Sequence, residues 1–317
     1  MDFISLFIIL YLIPAPLANP VETRYTGSIL KEVHTPMKDI AYYNGTIGRI
    51  DEVKAPITDR GFYFGDGVYD VTMVKNQKLF AMDDHLDRFY SSLSLLRIEP
   101  PMERGELESL LRDLVSRLDS DEPYILYWQA TRASAHRTHV FPKGVKANLM
   151  AYAEPCALDP VNKPFRLLSM EDTRFFHCNI KTLNLIPNCM ALEKAAEQGC
   201  GEVVYHRGDR VTEGAHSGLA ILKAGVFCTP PVDELILPSV TRKHFLELCE
   251  QLGIPSRVAP FSLEDVRNAD EVLILSTGSH GVSACELDGQ PIGGKAPELL
   301  HRLQAAYQAK FEAETAK

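Results

Sequence analysis

Two short apolar segments joined by an Asn-Gly pair constrain the fold more than any other feature of this chain. The segments are Ile40 to Tyr43 and Thr46 to Ile50, with Asn44-Gly45 between them. This pair adopts positive φ values at low cost and is typical of the turn of an antiparallel hairpin. A second hairpin is predicted where Val68 to Val74 and Lys78 to Ala81 flank a polar turn. The N-terminal half therefore requires an antiparallel sheet.

Helical patterns follow these strands. Apolar residues recur at three- and four-residue intervals over Asp84 to Leu96 and again over Leu107 to Leu118, which predicts two amphipathic helices. Tyr124 to Thr131 predicts a further strand. The fold class expected from these elements is α+β.

The second half of the chain continues the mixture of strands and helices after a Pro-containing connection, Pro155 to Pro160. We therefore expect a small α+β domain over 37–154 and a larger domain over 155–317, with 1–36 as a separate N-terminal extension. The strands predicted in the second half are Arg166 to Met170, Glu202 to His206, Leu219 to Leu222 and Glu271 to Leu275, and the helices are Ala191 to Glu197, Thr241 to Leu252 and Glu298 to Phe311.

Composition narrows the class of protein. The chain has 317 residues, enough for two domains, and a net charge of −9. That negative charge argues against a surface that binds nucleic acid and favours a small-molecule enzyme. Hydrophobic residues at 45% and charged residues at 24% are ordinary for a soluble globular protein. The seven cysteines form no C-x-x-C pair, which predicts free thiols in a reducing cytoplasm and no metal site.

The N-terminal extension leaves two interpretations open. Phe3 to Ile13 is an apolar run that is too short to span a bilayer, which needs ~20 residues. The run has the length of a signal-peptide core, but no Lys or Arg precedes it and no clear cleavage site follows it. The alternative is that translation starts at Met37, directly before the first predicted strand. We favour the Met37 start and a cytoplasmic protein, with export as the alternative.

The segment Arg174 to Leu185 is the most informative for chemistry, because Lys181 stands in a largely apolar stretch of it. Burying an ammonium group is costly unless its pKa falls or it is paired. A desolvated lysine is the residue that Schiff-base chemistry requires. A lysine that merely extends from a strand edge to solvent is the alternative when this residue is considered alone.

Three further patterns accompany this lysine. Glu213 is a carboxylate at the end of a short strand, before a glycine-containing turn. Val240 and Thr241 open a helix, whose free N–H groups form an anion site. Ser276 and Thr277 end a strand in backbone rich in hydroxyl groups and glycine, which also binds phosphate. Each pattern alone is typical of a cap or turn, but together and in this order they are specific.

These patterns, with four linked motifs, resemble the class IV (fold type IV) pyridoxal-phosphate aminotransferases, and most closely the branch that acts on D-amino acids. The resemblance covers nearly everything from Tyr42 to about Phe311 and implies a small N-terminal α/β domain, a larger domain with a β-barrel-like core, and a homodimer. The motifs are Asp59-Arg60-Gly61-Phe62-Tyr63-Phe64-Gly65-Asp66-Gly67-Val68-Tyr69-Asp70, His85-Leu86-Asp87-Arg88, Asn179-Ile180-Lys181-Thr182-Leu183-Asn184 and Val211-Thr212-Glu213-Gly214.

The resemblance implies pyridoxal 5′-phosphate as the cofactor and assigns its ligands. Lys181 would be the Schiff-base lysine and would then move a proton at the substrate Cα. Glu213 would face the pyridine nitrogen and keep it protonated. The phosphate would be bound by Arg88, Val240, Thr241, Ser276 and Thr277.

The resemblance also implies how substrate is recognised. The stretch Arg132 to Pro142 carries an Arg-x-His element, Arg137 and His139, that would bind the substrate α-carboxylate together with Tyr69. The alternative for this stretch is a basic loop exposed to solvent. The implied activity is ping-pong transfer of an amino group between D-amino acids, such as D-alanine, and 2-oxo acids, such as 2-oxoglutarate.

Two other functions share this fold, and a third is suggested by the apolar run at Phe3 to Ile13. They are a 4-amino-4-deoxychorismate lyase, a branched-chain L-amino-acid aminotransferase and a catalytically inactive exported relative. Ala215, His216 and Gly218 stand in a run that is rich in serine in the family, and Ser239 replaces its usual glycine. These departures leave the size of the pocket and the preferred side chain of the substrate open.

Overall fold

The computed structural model describes residues 37–158 and 160–317. The apolar run at Phe3 to Ile13 lies outside the described residues. The described residues form one compact unit with two sheets.

The first sheet is antiparallel and has six strands in the order β2-β1-β6-β5-β3-β4. The side chains of its central strand β5 alternate between buried and partly exposed, the period expected for a strand with one face on a core. The strands are β1 (Ile40–Tyr43), β2 (Thr46–Gly48), β3 (Gly67–Lys75), β4 (Lys78–Leu79), β5 (Tyr124–Thr131) and β6 (Asn148–Pro155), and the helices of this half are α1 (Arg60–Phe64), α2 (Met82–Leu95) and α3 (Arg104–Ser116).

The second sheet is mixed and has nine strands, curled into a half-barrel. Eight follow the order β12-β11-β10-β13-β14-β7-β8-β9, and β15 pairs with β14. The strands are β7 (Phe165–Glu171), β8 (Glu202–Arg207), β9 (Arg210–Val211), β10 (Gly218–Lys223), β11 (Val226–Thr229), β12 (Ser256–Val258), β13 (Glu271–Leu275), β14 (Val282–Leu287) and β15 (Gln290–Pro291), and the helices are α4 (Ile186–Glu197), α5 (Val240–Gln251), α6 (Leu263–Arg267) and α7 (Pro297–Glu314).

The predicted hairpins are confirmed, and their turns have the expected backbone. Asn44 and Gly45 have φ values of 44° and 97°, and Asn76 and Gln77 have 51° and 57°. These residues are in the left-handed region, where Asn and Gly are tolerated best. The α+β fold with a barrel-like second half is likewise confirmed.

Some residues of the first half pack in the hydrophobic core of the second half. Helices α2 and α3 cover one face of the first sheet around the buried Trp128. Met73 and Phe80, from the hairpin that joins β3 and β4, pack instead with Tyr307 and Phe311 of α7. The division into domains at 154/155 stays a prediction, and β6 ends there, at Pro155.

The described residues bear on two further features. Within 37–158 and 160–317, no helix is long and apolar enough to cross a membrane. All seven cysteines lie in these ranges, and no disulfide joins any two of them, as predicted.

Candidate active site

A cavity of about 400 Å³ is lined by residues of both halves of the chain. The first sheet contributes residues of β3 and β5, and the second half contributes residues of five connecting segments. Seven of the residues that the sequence predicts for cofactor binding line it, together with one predicted for substrate binding, and they are Arg88, Lys181, Glu213, Val240, Thr241, Ser276, Thr277 and Tyr69.

Lys181 lies in an irregular segment between β7 and α4 that is tied to the first sheet. The Lys181 carbonyl accepts from the Tyr69 N–H at 2.9 Å, and its own N–H donates to the Ser92 hydroxyl at 3.2 Å. The Lys181 Nζ atom lies 4.2 Å from the centroid of the Tyr69 ring. The backbone of this lysine is therefore fixed by β3 and α2, while its amine reaches the cavity.

Glu213 follows β9 and is buried at the cavity wall. One carboxylate oxygen accepts from Arg174 Nη1 at 2.7 Å, and the other accepts from the Leu237 N–H at 3.0 Å. Burial raises the pKa of Glu213 to about 7, although Arg174 opposes that rise. This carboxyl group thus titrates near neutral pH in the protein without ligand.

Arg174 is a residue whose role sequence reasoning missed. Its guanidinium donates to both oxygens of Asp172, at 3.0 and 2.9 Å, as well as to Glu213. Burial works to raise the pKa of Asp172, but Arg174 outweighs it, and the pKa is lowered. Asp172 therefore holds the cation that stabilises the ionised form of Glu213. The spacing of Asp172 and Arg174, on the same side of an extended segment, is the available sequence signal.

Another part of the cavity wall combines a helix N-terminus with hydroxyl groups. The N-terminus of α5, capped by the Ser239 hydroxyl, which accepts from the Arg242 N–H at 3.2 Å, presents Val240 and Thr241. Ser276 and Thr277 follow β13 at the same cavity. Free N–H groups and hydroxyls at a helix N-terminus attract phosphate.

Asp70 holds Arg88 next to the N-terminus of α5. Arg88 donates to the two oxygens of Asp70 at 2.9 and 2.7 Å, and to the Pro238 carbonyl, next to the cap of α5, at 3.3 Å. His85 Nδ1 lies 2.9 Å from the same carboxylate. Burial alone raises the pKa of Asp70, but Arg88 and His85 bring it well below its usual range. The motif contained Asp70, but no role was predicted for it.

The turn after Glu213 is organised by Glu202, which sequence reasoning placed only at the start of a strand. Glu202 is fully buried and accepts from the Ser217 hydroxyl at 2.6 Å and the Ala215 N–H at 3.0 Å. His216 Nδ1 lies 2.8 Å from it, and His216 lines the cavity. A Cβ at Gly214 would lie 2.3 Å from the Ser217 hydroxyl oxygen, so a larger residue there would displace the hydroxyl that donates to Glu202.

The two residues predicted to bind the substrate carboxylate with Tyr69 are placed apart from it. Arg137 and His139 are exposed and do not line the cavity of a single chain. The Arg137 guanidinium carbon lies 5.1 Å from the centroid of the Phe64 ring, and the His139 ring lies 5.3 Å from it. One chain therefore brings Lys181, Glu213, Arg88 and Tyr69 together, but not Arg137 and His139.

The fold and this cavity define a class IV aminotransferase, and the chain belongs to that family. The family model described as amino-transferase class IV matches residues 67–287. The D-alanine aminotransferase of Bacillus licheniformis is 36% identical, over 87% of this chain and 98% of that protein. The D-alanine aminotransferase of Staphylococcus haemolyticus is 34% identical, over 86% and 97%.

Solved structures share the fold. The Escherichia coli branched-chain amino acid aminotransferase superimposes with a TM-score of 0.80 at 21% identity, covering 89% of this chain and 97% of that one. The branched-chain aminotransferase of the thermophilic archaeon Thermoproteus uzoniensis, solved with norvaline, gives 0.77 at 21% identity and covers 87% and 96%. These likenesses support the fold of the chain, whereas the sequence relatives support its family.

Proposed function

We propose that this chain is a pyridoxal-phosphate-dependent transaminase that moves an amino group between D-amino acids, such as D-alanine, and 2-oxo acids, such as 2-oxoglutarate. The observation that carries the proposal is one cavity with an amine, a buried carboxylate and an anion-binding helix end. Relatives that share a third of its residues over most of their length are named D-alanine aminotransferases, which supports the choice of D-amino acids.

The donor set of the cavity fits this cofactor. Lys181 supplies the amine, and Glu213 supplies a carboxylate for the pyridine nitrogen. Arg88, the N-terminus of α5 and the hydroxyls of Ser276 and Thr277 supply the phosphate site. When bound, pyridoxal phosphate supplies an electron sink for the carbanion left after removal of the Cα proton.

The residues of the chain would divide the remaining work. Lys181 would remove the Cα proton of the amino acid as a general base and would return it at C4′ of the cofactor. Glu213 in its ionised form, stabilised by Arg174, holds a proton on the ring nitrogen. Arg88 cannot swing away from the phosphate because Asp70 binds it in a bidentate pair. Glu213 and Arg88 would therefore each be held in place by a partner side chain while substrates exchange.

Recognition of the α-carboxylate would involve a second copy of the chain. Arg137 and His139 lie outside the cavity, so their predicted contact with substrate needs another protomer to bring them there. Val140, beside them, is 74% exposed, and Ile186 and Met190, one turn apart on α4, are 71% and 69% exposed. Exposed apolar side chains that cluster mark a protein interface, and Ile186 and Met190 lie on one face of α4. We therefore propose a homodimer with two shared sites in a cytoplasmic protein.

The decisive experiment is a substrate comparison on the purified, cofactor-loaded protein. D-alanine with 2-oxoglutarate should be the best of the pairs tested, and D-alanine should change the absorbance of the bound cofactor whereas L-alanine should not. L-leucine and 4-amino-4-deoxychorismate are the competing substrates. Faster turnover of either would replace the proposed function with a branched-chain aminotransferase or a lyase.

We predict that Lys181→Ala abolishes transamination, because no other lysine of the described residues lines the cavity to take the Cα proton. Single-turnover absorbance changes with D-alanine measure this directly. A matched control is Lys194→Ala on α4, which removes a lysine that does not line the cavity and should leave the rate unchanged. A near wild-type rate in Lys181→Ala, without added amine, would remove this lysine from the mechanism.

A further inference from the structure

The segment around helix α1 is bonded to the start of the loop that carries Arg137 and His139. Backbone hydrogen bonds join the two segments, since Arg60 N–H donates to the Ala133 carbonyl at 2.9 Å and the Ala135 N–H donates to the Thr58 carbonyl at 3.0 Å. The first residues of the loop are therefore fixed in position, although residues 137 to 141 are exposed.

A buried charge network also fixes the middle of the loop. Arg60 is 2% exposed, and its Nη1 atom donates to the carbonyl of Thr138, the residue between Arg137 and His139, at 2.7 Å. The Nε atom of Arg60 donates to Asp66 at 2.7 Å. Arg132 donates to the same carboxylate at 3.0 Å and anchors itself on the carbonyls of Leu96 and Arg97, at 2.9 and 2.8 Å.

The ring of Phe64 lies next to the side chains of both Arg137 and His139, the residues on either side of Thr138. The guanidinium carbon of Arg137 lies 5.1 Å from the ring centroid, and the ring of His139 lies 5.3 Å from it. The guanidinium carbon of Arg60 lies 4.7 Å from the same centroid. The guanidinium groups of Arg60 and Arg137 repel each other, whereas the ring of Phe64 attracts both. The ring therefore keeps the two positive charges near each other.

This arrangement leaves Arg137 available for an anion. Among residues 37–158 and 160–317, no carboxylate pairs with the Arg137 guanidinium. A guanidinium group in contact with a ring keeps its N–H donors free to form a bidentate pair with a carboxylate.

We propose that Phe64 is a positioning residue for carboxylate recognition, which presents Arg137 and His139 while Arg60 fixes the backbone between them. This proposal rests on the proposed function, in which those two residues bind the α-carboxylate of the substrate. Phe64 does not touch the substrate itself and acts only through them.

The test uses the full-length, cofactor-loaded protein with D-alanine and 2-oxoglutarate as probes. Phe64→Leu should raise KM for both substrates about two- to fivefold, the range expected for an exposed cation–π contact, and change kcat by less than about twofold. Phe64→Tyr keeps the ring and should recover most of this loss. Phe62→Leu is the matched control on the same helix, because Phe62 is 67% exposed and should leave both constants unchanged. The absorbance of the bound cofactor should be the same in all variants.

A double-mutant cycle separates positioning from a general structural effect. If Phe64 acts through Arg137, Phe64→Leu should add little to the rise in KM once Arg137→Ala is present. Arg60→Lys keeps a positive charge beside Asp66 but loses the hydrogen bond to the Thr138 carbonyl. It should therefore raise KM, as Phe64→Leu does. The positioning proposal alone fails if Arg137→Ala raises KM and Phe64→Leu does not. If Arg137→Ala leaves KM unchanged, the proposed carboxylate site fails and the positioning role fails with it.

Discussion

At the residue scale, Glu213 is the group whose ionisation is most sensitive to its surroundings. Burial raises its pKa from an ordinary value near 4.5 to about 7 against the opposing effect of Arg174. The folded chain then holds this proton more tightly than the unfolded chain. The stability that this contributes is complete below about pH 4.5 and is lost as pH rises to about 7.

We predict that Glu213→Gln flattens the dependence of stability on pH in the cofactor-free protein. Across about pH 4.5 to 7, wild type should lose up to about 3 kcal/mol relative to the variant, because one pKa unit corresponds to ~1.4 kcal/mol. Urea unfolding of both proteins at half-unit intervals of pH measures the difference. The pKa values of Asp70 and Asp172 are lowered, so both carboxyl groups titrate below this range of pH in the folded protein. A difference that stays constant with pH would contradict the raised pKa.

Arg137 permits a second prediction at this scale. Arg137→Ala should weaken D-alanine and 2-oxoglutarate together by about ten- to a hundredfold, since a charge-assisted hydrogen bond contributes ~1.5 to 3 kcal/mol. We also expect the ratio of D- to L-alanine turnover to narrow, because a substrate held by one group fewer has more freedom to rotate. Steady-state kinetics with both enantiomers provide the measurement. Wild-type KM values with full D selectivity would place the carboxylate site elsewhere.

At the scale of elements, the cap of α5 links helix stability to the anion site. The hydroxyls of Ser239 on α5 and Ser262 on α6 each accept from a backbone N–H three residues on. Ser→Ala at either cap should cost about 1 kcal/mol of stability. Only Ser239→Ala should also weaken cofactor binding, because Ser239 lines the cavity and Ser262 does not. Thermal unfolding and cofactor titration of the two variants test this. Equal cofactor affinities would mean that the N-terminus of α5 is not part of the phosphate site.

Elements with a full period of apolar residues were predictable from sequence. The helix expected over Thr241 to Leu252 is α5 (Val240–Gln251), and the strand at Tyr124 to Thr131 has the expected bounds. Short elements such as α1, β12 and β15 were missed because two to five residues carry no measurable period.

The site was predictable where a motif marks it and not where its support comes from distant residues. Lys181 and Glu213 were found from local patterns, and both line the cavity. Arg174 and Glu213 are 39 residues apart, and Arg88 and Asp70 are 18 apart, so their pairing is visible only after folding. The position of Arg137 outside the cavity of its own chain likewise has no signature in local sequence.

At the scale of the whole molecule, active sites shared between two chains predict that two defective variants recover activity when they form mixed dimers. Alone, Lys181→Ala should be inactive, and Arg137→Ala should keep only about a tenth to a hundredth of wild-type activity at substrate concentrations below KM. After mixing by unfolding and refolding together, about half of the dimers should be mixed, each with one intact site, which restores about a quarter of wild-type activity. Activity of the mixture, measured against each variant refolded alone, is the readout. No recovery in a mixture shown to contain mixed dimers would mean that each chain supplies its own Arg137.

The packing of the first sheet's β3–β4 hairpin against α7 has a consequence for synthesis on the ribosome. Phe80 and Met73 are 1% exposed, and their partners Tyr307 and Phe311 are translated more than two hundred residues later. The Ala81 N–H likewise donates to Glu314, at 3.0 Å, only when the last helix has emerged. Until then the nascent N-terminal half carries an uncovered apolar surface, of the kind that chaperones bind and that aggregates in their absence.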